Sequence, residues 1–275
     1  MNRAPSDSRL LDGVNVVLLI LAGIVVMVPT AWMVLSSFKQ SFEVTAYPPR
    51  LFFSPTLDNY ANLNDSTPFV RYAVNSLVVT VGSTTLGLVL GAPAAFVASW
   101  TRITWPAVVS LLARMAPGTL FLLPWYVMFR QVGMIGSYWS LILTHAVITM
   151  PVVIWVLLPF FDNIPRSVYE AAQVDGCSPF RLFRRIALPL VSSGLAVSAI
   201  LAFVFSWNFF LFALVLSNSR TKTLIAASFN FIGEGSTDWG GLMAAATIIA
   251  LPPLILAAVV QRWLISGLTL GAVKG

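Results

Sequence analysis

The chain reads as all-α, a polytopic membrane protein with six transmembrane helices in a single domain over residues 1–275. Three observations lead there. Hydrophobic residues are 58% of the 275 residues and charged ones 9%, with a mean hydropathy of +0.86, against the roughly 25% charged expected of a soluble domain. Apolar stretches of about 20 to 25 residues, each long enough to cross a bilayer, recur along the whole sequence. A polar, arginine-bearing segment at 163–189 interrupts two of them. Six such spans and short connections use up the length and leave no room for a separate soluble domain.

In chain order, residues 1–12 are a polar leader and 14–35 an uncharged first span. That span is too long for the core of a signal peptide and lacks a small-residue cleavage site after it, so it is expected to stay. Residues 36–71, with Pro48, Pro49, Pro55 and Pro68, form a polar connection. The second span, 72–100, carries Gly82, Gly87 and Gly91, and this small-residue face is expected to pack against a neighbouring helix. The third span, 107–129, contains Pro117-Gly118 and Pro124, which break or kink it. The fourth runs over 137–161, the fifth over 190–216, and the sixth over 239–264 with Pro252-Pro253 in its middle.

Segment 163–189 reads as two short helices. Ile164, before a proline, is pushed toward extended geometry, and Pro165 suits a first helical position. The helix runs through Val168, Glu170, Ala171 and Ala172, where two alanines let another protein's surface approach the backbone. Gly176 ends it. A second helix from Pro179 puts Arg181, Arg184 and Arg185 on one face and Phe180, Leu182, Phe183, Ile186 and Ala187 on the other. That pattern suits a helix lying in the membrane interface.

Glu170-Ala171-Ala172, Gly176, Ile186, Leu188 and Pro189 stand at the spacing of the EAA loop, and here the sequence resembles the permease subunits of binding-protein-dependent ABC importers. The resemblance implies a type I importer permease fold with a cytoplasmic EAA coupling helix seated on an ATPase subunit. Glu170, Ala171, Ala172, Asp175, Gly176 and Arg181 are then the coupling residues. Asp58-Asn59-Tyr60, Asn75-Ser76, Trp207-Asn208, the run from Asp238 to Ala245 and the Gly267–Gly275 ending are similar to the carbohydrate branch, of the smaller six-span type in the maltose importer. The resemblance covers nearly the whole chain. It implies that Lys274 and Gly275 reach toward the ATPase interface. It also implies that the outer loop 231–239, through Gly233, Glu234, Gly235 and Ser236, enters a solute-binding protein and displaces the sugar. At Phe209 the sequence departs from the polar residue many relatives carry after Trp-Asn.

The net charge of +6 is spread along span ends without aromatic interleaving, so it reports orientation and not nucleic acid. With the amino terminus inside, Arg3, Arg9, Arg102, Arg166, Arg181, Arg184, Arg185, Arg262 and Lys274 are cytoplasmic. Lys39, Arg50, Arg71, Arg130, Arg220 and Lys222 are then outside. The bias puts both termini in the cytoplasm, and the resemblance, which places the 163–189 loop inside as well, implies a bacterial inner membrane.

Arg114 lies on the order of 12 Å into the third span at 1.5 Å per residue, and no Asp or Glu falls within a predicted span. Its partner is a backbone carbonyl, a second permease subunit, water in a cavity, or the headgroup region reached by snorkelling. Asn208 and Trp207 could bond and stack on a sugar along the substrate path or act as interhelical glue. His145 is either a hydrogen-bonded structural residue or a proton relay.

One cysteine, Cys177, and one histidine exclude an internal disulfide and supply neither a metal-ligand cluster nor a nucleophile with its base. No P-loop motif is present, so no nucleotide binding of that kind is expected here. The reading is a non-catalytic permease subunit for a carbohydrate, without a cofactor of its own and with ATP and Mg bound by two ATPase partners. A second homologous permease, an extracytoplasmic solute-binding protein and membrane lipid complete the set. The alternatives are a permease for a non-sugar solute such as a polyol phosphate, and an ion-coupled secondary transporter, which would normally need buried acids or a visible inverted repeat.

Overall fold

The computed structural model describes residues 5–232 and 237–272. They are helical nearly throughout, apart from turns and one isolated bridge between Ile232 and Thr237. The described chain divides into two compact units. One is the chain up to Thr67 together with Asn230–Ile249, the other Pro68–Phe229 together with the chain from Ala250 on.

In the first unit, α1 (Pro5–Ser36) is apolar on every face of its span Gly13–Ser36. Val14 to Val28 are exposed around the whole helix, as suits a helix whose solvent is lipid. At its end the chain turns on buried polar groups. Lys39, 1% exposed, donates from Nζ to the Arg50 carbonyl at 2.7 Å and sits 4.3 Å from the Trp32 ring centroid and 4.9 Å from that of Phe53. A buried ammonium needs such partners. Short helices α2 (Ser41–Val44), α3 (Asp58–Ala61) and α4 (Leu63–Ser66) follow. Asn59 donates through Nδ2 to the carbonyls of Ser37 (2.8 Å) and Lys39 (2.7 Å), and the Tyr60 hydroxyl meets Ser37 Oγ at 2.6 Å. The Asp-Asn-Tyr run is thus a clasp on the turn after α1. Asp238 accepts from the Gly241 amide at 3.0 Å and from Ser41 Oγ at 2.6 Å, capping the carboxyl-terminal helix.

The second unit is built on α5 (Phe69–Thr101), α8 (Tyr138–Asp162) and α12 (Ser192–Trp207). The glycine face of α5 does pack on a neighbour. A Cβ at Gly87 would lie 2.5 Å from Thr149 Oγ1, one at Gly91 2.9 Å from Val153 Cγ1, and one at Gly82 2.8 Å from Ile142 Cδ1, all on α8. Polar groups lock the approach where water cannot reach. Thr149 donates to the Ser83 carbonyl at 2.9 Å, Ser83 Oγ meets Ser206 Oγ at 2.7 Å, and His145 Nδ1 lies 3.0 Å from the same Ser206 oxygen. Asn75 Nδ2 holds the carbonyls of Arg220 and Lys222, each at 2.9 Å, and Ser76 Oγ accepts from the Leu224 amide at 2.7 Å. The Asn75-Ser76 pair therefore ties the 217–224 turn to α5.

The expected third span is two helices, α6 (Trp105–Met115) and α7 (Gly118–Gln131), parted at Ala116-Pro117. Pro117 supplies no amide and forces Ala116 to an extended ψ of 135°, as a residue before proline prefers. Pro124 is accommodated inside α7. The expected fifth span is interrupted too. α12 stops at Trp207, and Asn208 Nδ2 turns back onto the Val204 carbonyl at 2.9 Å, competing with the helix. The chain resumes as α13 (Leu211–Leu216) and α14 (Leu224–Ala227). The last helix, α15 (Trp239–Ala272), keeps Pro252 and Pro253 within it. Among the described residues four helices are long and apolar enough to cross a membrane, five if the bent pair Pro179–Leu190 and Ser192–Trp207 counts as one.

Gly87→Ala is expected to lower the thermal unfolding midpoint of the purified chain, the overpacking costing about 1–3 kcal/mol. Thr149→Ala in the same chain recovers part of the loss by removing the nearest colliding atom, Oγ1. Gly23→Ala, which meets nothing within 4 Å, does not lower the midpoint, since alanine is the better helix former.

Candidate functional sites: the loop after α8 and an arginine-bearing cavity

The 163–189 segment begins where α8 ends. Pro165 is the residue before the next helix and not its first, and α9 (Arg166–Val174) follows with Tyr169 and Ala172 buried. At about 100° per residue, positions 169 and 172 share a face with Val168, and that face looks into the protein. Tyr169 donates to the Phe161 carbonyl at 3.3 Å and meets Phe96 edge-on at 6.1 Å. Burial pushes its phenol pKa up, the Asp162 carboxylate adds to this, and Arg166 opposes it, so the hydroxyl remains a donor. Phe96 also contacts Phe161 at 5.7 Å and Phe183 at 5.3 Å. This aromatic knot fastens α9 to α5 and α8.

The opposite face is bare. Glu170, Ala171, Gln173 and Asp175 are exposed, and Val174 is 87% exposed. The two alanines expected at the surface therefore part company, since Ala171 presents backbone outward while Ala172 is 4% exposed in the core. Gly176 takes φ of +71° with its amide on the Gln173 carbonyl, and the Cys177 amide reaches the Ala172 carbonyl, each at 3.0 Å. That paired closure is a Schellman ending, and it needs glycine there.

The second expected helix is broken up. Ser178 accepts from the Arg181 amide at 3.4 Å and caps α10 (Pro179–Leu182); a π turn at Phe183–Ala187 and α11 (Leu188–Leu190) follow. This run meets α12 at 83°. Arg181, Arg184 and Arg185 are exposed and Leu182 and Ala187 buried, as the pattern implied. Phe180 is the exception at 70% exposed.

The second candidate site is a cavity of about 230 Å³ between α6, α7, α8, α12 and α13. Arg114, in the last turn of α6, enters it with its guanidinium carbon 4.3 Å from the Phe205 ring centroid. Phe121, Trp125, Phe209 and Phe212 line the rest, with Trp125 stacked on Phe212 at 5.1 Å. A cation at the centre of a spanning helix costs about 3 kcal/mol. The ring face offsets about 1–2 of this, and the carbonyls left open where Pro117 ends α6 offset up to about 1 more.

Of the residues expected on the path, Arg114 alone lines this cavity. Asn208 is exposed with its amide on its own helix, while Trp207 is 5% exposed and stacked on Phe203 at 5.7 Å. Phe205, Phe209 and Phe212 were missed, because an aromatic run within an apolar span carries no mark of which rings face a cavity. His145 is buried on Ser206 and edge-on to Phe209 at 5.5 Å. Gly233, Glu234, Gly235, Ser236, Lys274 and Gly275 lie outside the described residues. Among the described residues no group of three His, Cys, Asp or Glu side chains is placed to hold a metal.

The family model described as "Binding-protein-dependent transport system inner membrane component" matches residues 68–269. A probable ABC transporter permease protein of Sinorhizobium fredii is 36% identical over 248 residues, covering 90% of this chain and 90% of that one. A sulfoquinovosyl glycerol transport system permease protein of Agrobacterium fabrum is 32% identical over 252 residues, covering 90% of this chain and 88% of the relative. The crystal structure of a bacterial ABC transporter involved in import of the acidic polysaccharide alginate superposes with a TM-score of 0.73 at 20% identity, over 95% of this chain and 99% of that one; at that identity the likeness speaks for the fold. A family match over most of the chain, relatives above 30% identity across nine-tenths of it, and a helical membrane fold with the same neighbours agree: the chain belongs to the family of binding-protein-dependent transport system inner membrane components, the permeases of ABC importers.

Proposed function

We propose that this chain is one of two homologous permease subunits of an ATP-driven importer, crossing the inner membrane six times as one domain with both termini in the cytoplasm. It forms half of the path for a carbohydrate and has no catalytic group of its own. ATP and Mg are bound by two ATPase subunits, and an extracytoplasmic binding protein delivers the solute. The carbohydrate assignment is supported by relatives whose solutes are sugar-based, sulfoquinovosyl glycerol among them.

The observation that carries the coupling role is the two-faced α9. Tyr169 and Ala172 anchor it through the Phe96 knot to α5 and α8, while Glu170, Ala171, Gln173 and Val174 stand open. A helix rigidly joined to the spans on one side and bare on the other can pass a push from a docked ATPase into the bundle. Asp175 and Gly176 close that helix, and Arg181 continues the open surface. Lys274 and Gly275 complete the ATPase contact in this reading. Arg114 and exposed Asn208 face the path, with Trp207 packed behind. Gly233 to Ser236 meet the binding protein.

Glu170→Lys is expected to cut binding-protein-dependent uptake in proteoliposomes at least tenfold while the chain still inserts in the membrane. Normal uptake together with normal recovery of the ATPase subunits on purification would sink the coupling assignment. Replacing Gly233 to Ser236 with a bulkier, stiffer sequence is expected to reduce uptake far more than ATP hydrolysis measured without binding protein, since in this reading that loop and α9 lie on opposite membrane faces. Equal losses of both would make the loop a folding element.

A further inference from the structure

We propose that the Arg114 cavity is a subsite for a glycosyl unit carrying an anionic oxygen group, a carboxylate, sulfonate or phosphate, on the transported solute. The inference rests on the importer reading above and narrows its substrate class.

The argument starts from what Arg114 lacks. Among the described residues no carboxylate pairs with it and no hydrogen bond satisfies it; its contact is the face of Phe205 at 4.3 Å. A ring on one face leaves the edge N–H groups of the guanidinium free, and those edges form the planar fork that matches a two-oxygen anion. The cavity it enters is walled by Phe121, Trp125, Phe209 and Phe212, flat apolar faces suited to the C–H side of a sugar ring. Its volume of about 230 Å³ falls just below the roughly 300–1,000 Å³ of drug-sized sites, room for one sugar ring, with the open side left for the rest of a longer solute. One fixed cation beside aromatic walls therefore selects an anionic ring over a neutral one, as a site with an unpaired polar group rejects the ligand that leaves it unpaired.

The local architecture fits a built site. Pro117 ends α6 one residue past Arg114, at Met115, and the Asn208 turn ends α12 beyond Phe205. Each interruption frees helix ends at the depth of the cavity, an arrangement that membrane proteins tolerate where backbone is buried in protein or lines a water-filled space.

The test uses the assembled importer, purified with its partner subunits into phosphatidylcholine nanodiscs and titrated with methyl glucuronide, methyl glucoside and inorganic phosphate. Tryptophan fluorescence is the readout, with Trp125→Phe identifying the reporting ring. Methyl glucuronide is expected to half-saturate at a concentration at least tenfold below methyl glucoside, with inorganic phosphate weaker than the glucuronide. Arg114→Gln abolishes the preference and Arg114→Lys restores part of it. Equal titration by the two glycosides on the unaltered complex, which needs no variant to fold, overturns the proposal, as does a preference that survives Arg114→Gln. Inorganic phosphate matching the glucuronide overturns the sugar part, and loss of the response when phosphatidylglycerol is included in the disc assigns the cation to a lipid headgroup instead. A complex that assembles with ATPase subunits and takes up its solute but shows no preference refutes this inference alone. Failure to recover ATPase subunits refutes the importer reading beneath it.

Discussion

The close approach of α5 to α8 is the contact on which the second unit depends. Gly87 and Gly91 remove side-chain bulk so that Thr149 and Val153 lie almost against the α5 backbone. Between helices in lipid there is no hydrophobic drive to association, so packing and interhelical hydrogen bonds must supply it. The Thr149 bond to the Ser83 carbonyl and the Ser83, Ser206 and His145 cluster do so at the same level. Helix α12 is drawn in through Ser206, and Gly194 lets it approach the Phe160 ring in the same manner.

That contact continues toward α9. Phe96, further along α5 than Gly91, gathers Phe161, Tyr169 and Phe183 about itself, so the loop helix is seated on the same two spans the glycines bring together. Helix α9 is thereby packed against these helices and not hung on a slack linker. The Schellman closure at Gly176 and the Ser178 cap keep the following turn compact. The π turn and the 83° bend then redirect the chain into α12.

The cavity answers to the same structure from its other side. Phe209 touches His145, and His145 is held by Ser206 within the cluster that joins α5, α8 and α12. A wall of the cavity is in this way connected to the helices that carry α9. This contiguity is structural, and a functional linkage between the two sites requires that both bias one two-state element.

Composition and span length determined that the chain is helical and membrane-embedded, because only self-satisfied backbone can cross lipid. The Glu-Ala-Ala, Gly and Leu-Pro spacing marked the loop helix, and Gly176 and Pro117 announced their turns, since positive φ and a missing amide are properties of single residues. Tertiary structure alone decided which alanine of the pair faces outward, because the answer depends on where Phe96 and Phe161 stand. It also decided that α12 stops at Asn208, where a side chain competes for one backbone carbonyl. The expectation that Arg114 needs a partner was legible from its depth in the span. That its contact is the ring of Phe205, ninety-one residues away in sequence, was not, because a cation–π contact between distant helices leaves no periodic trace in either.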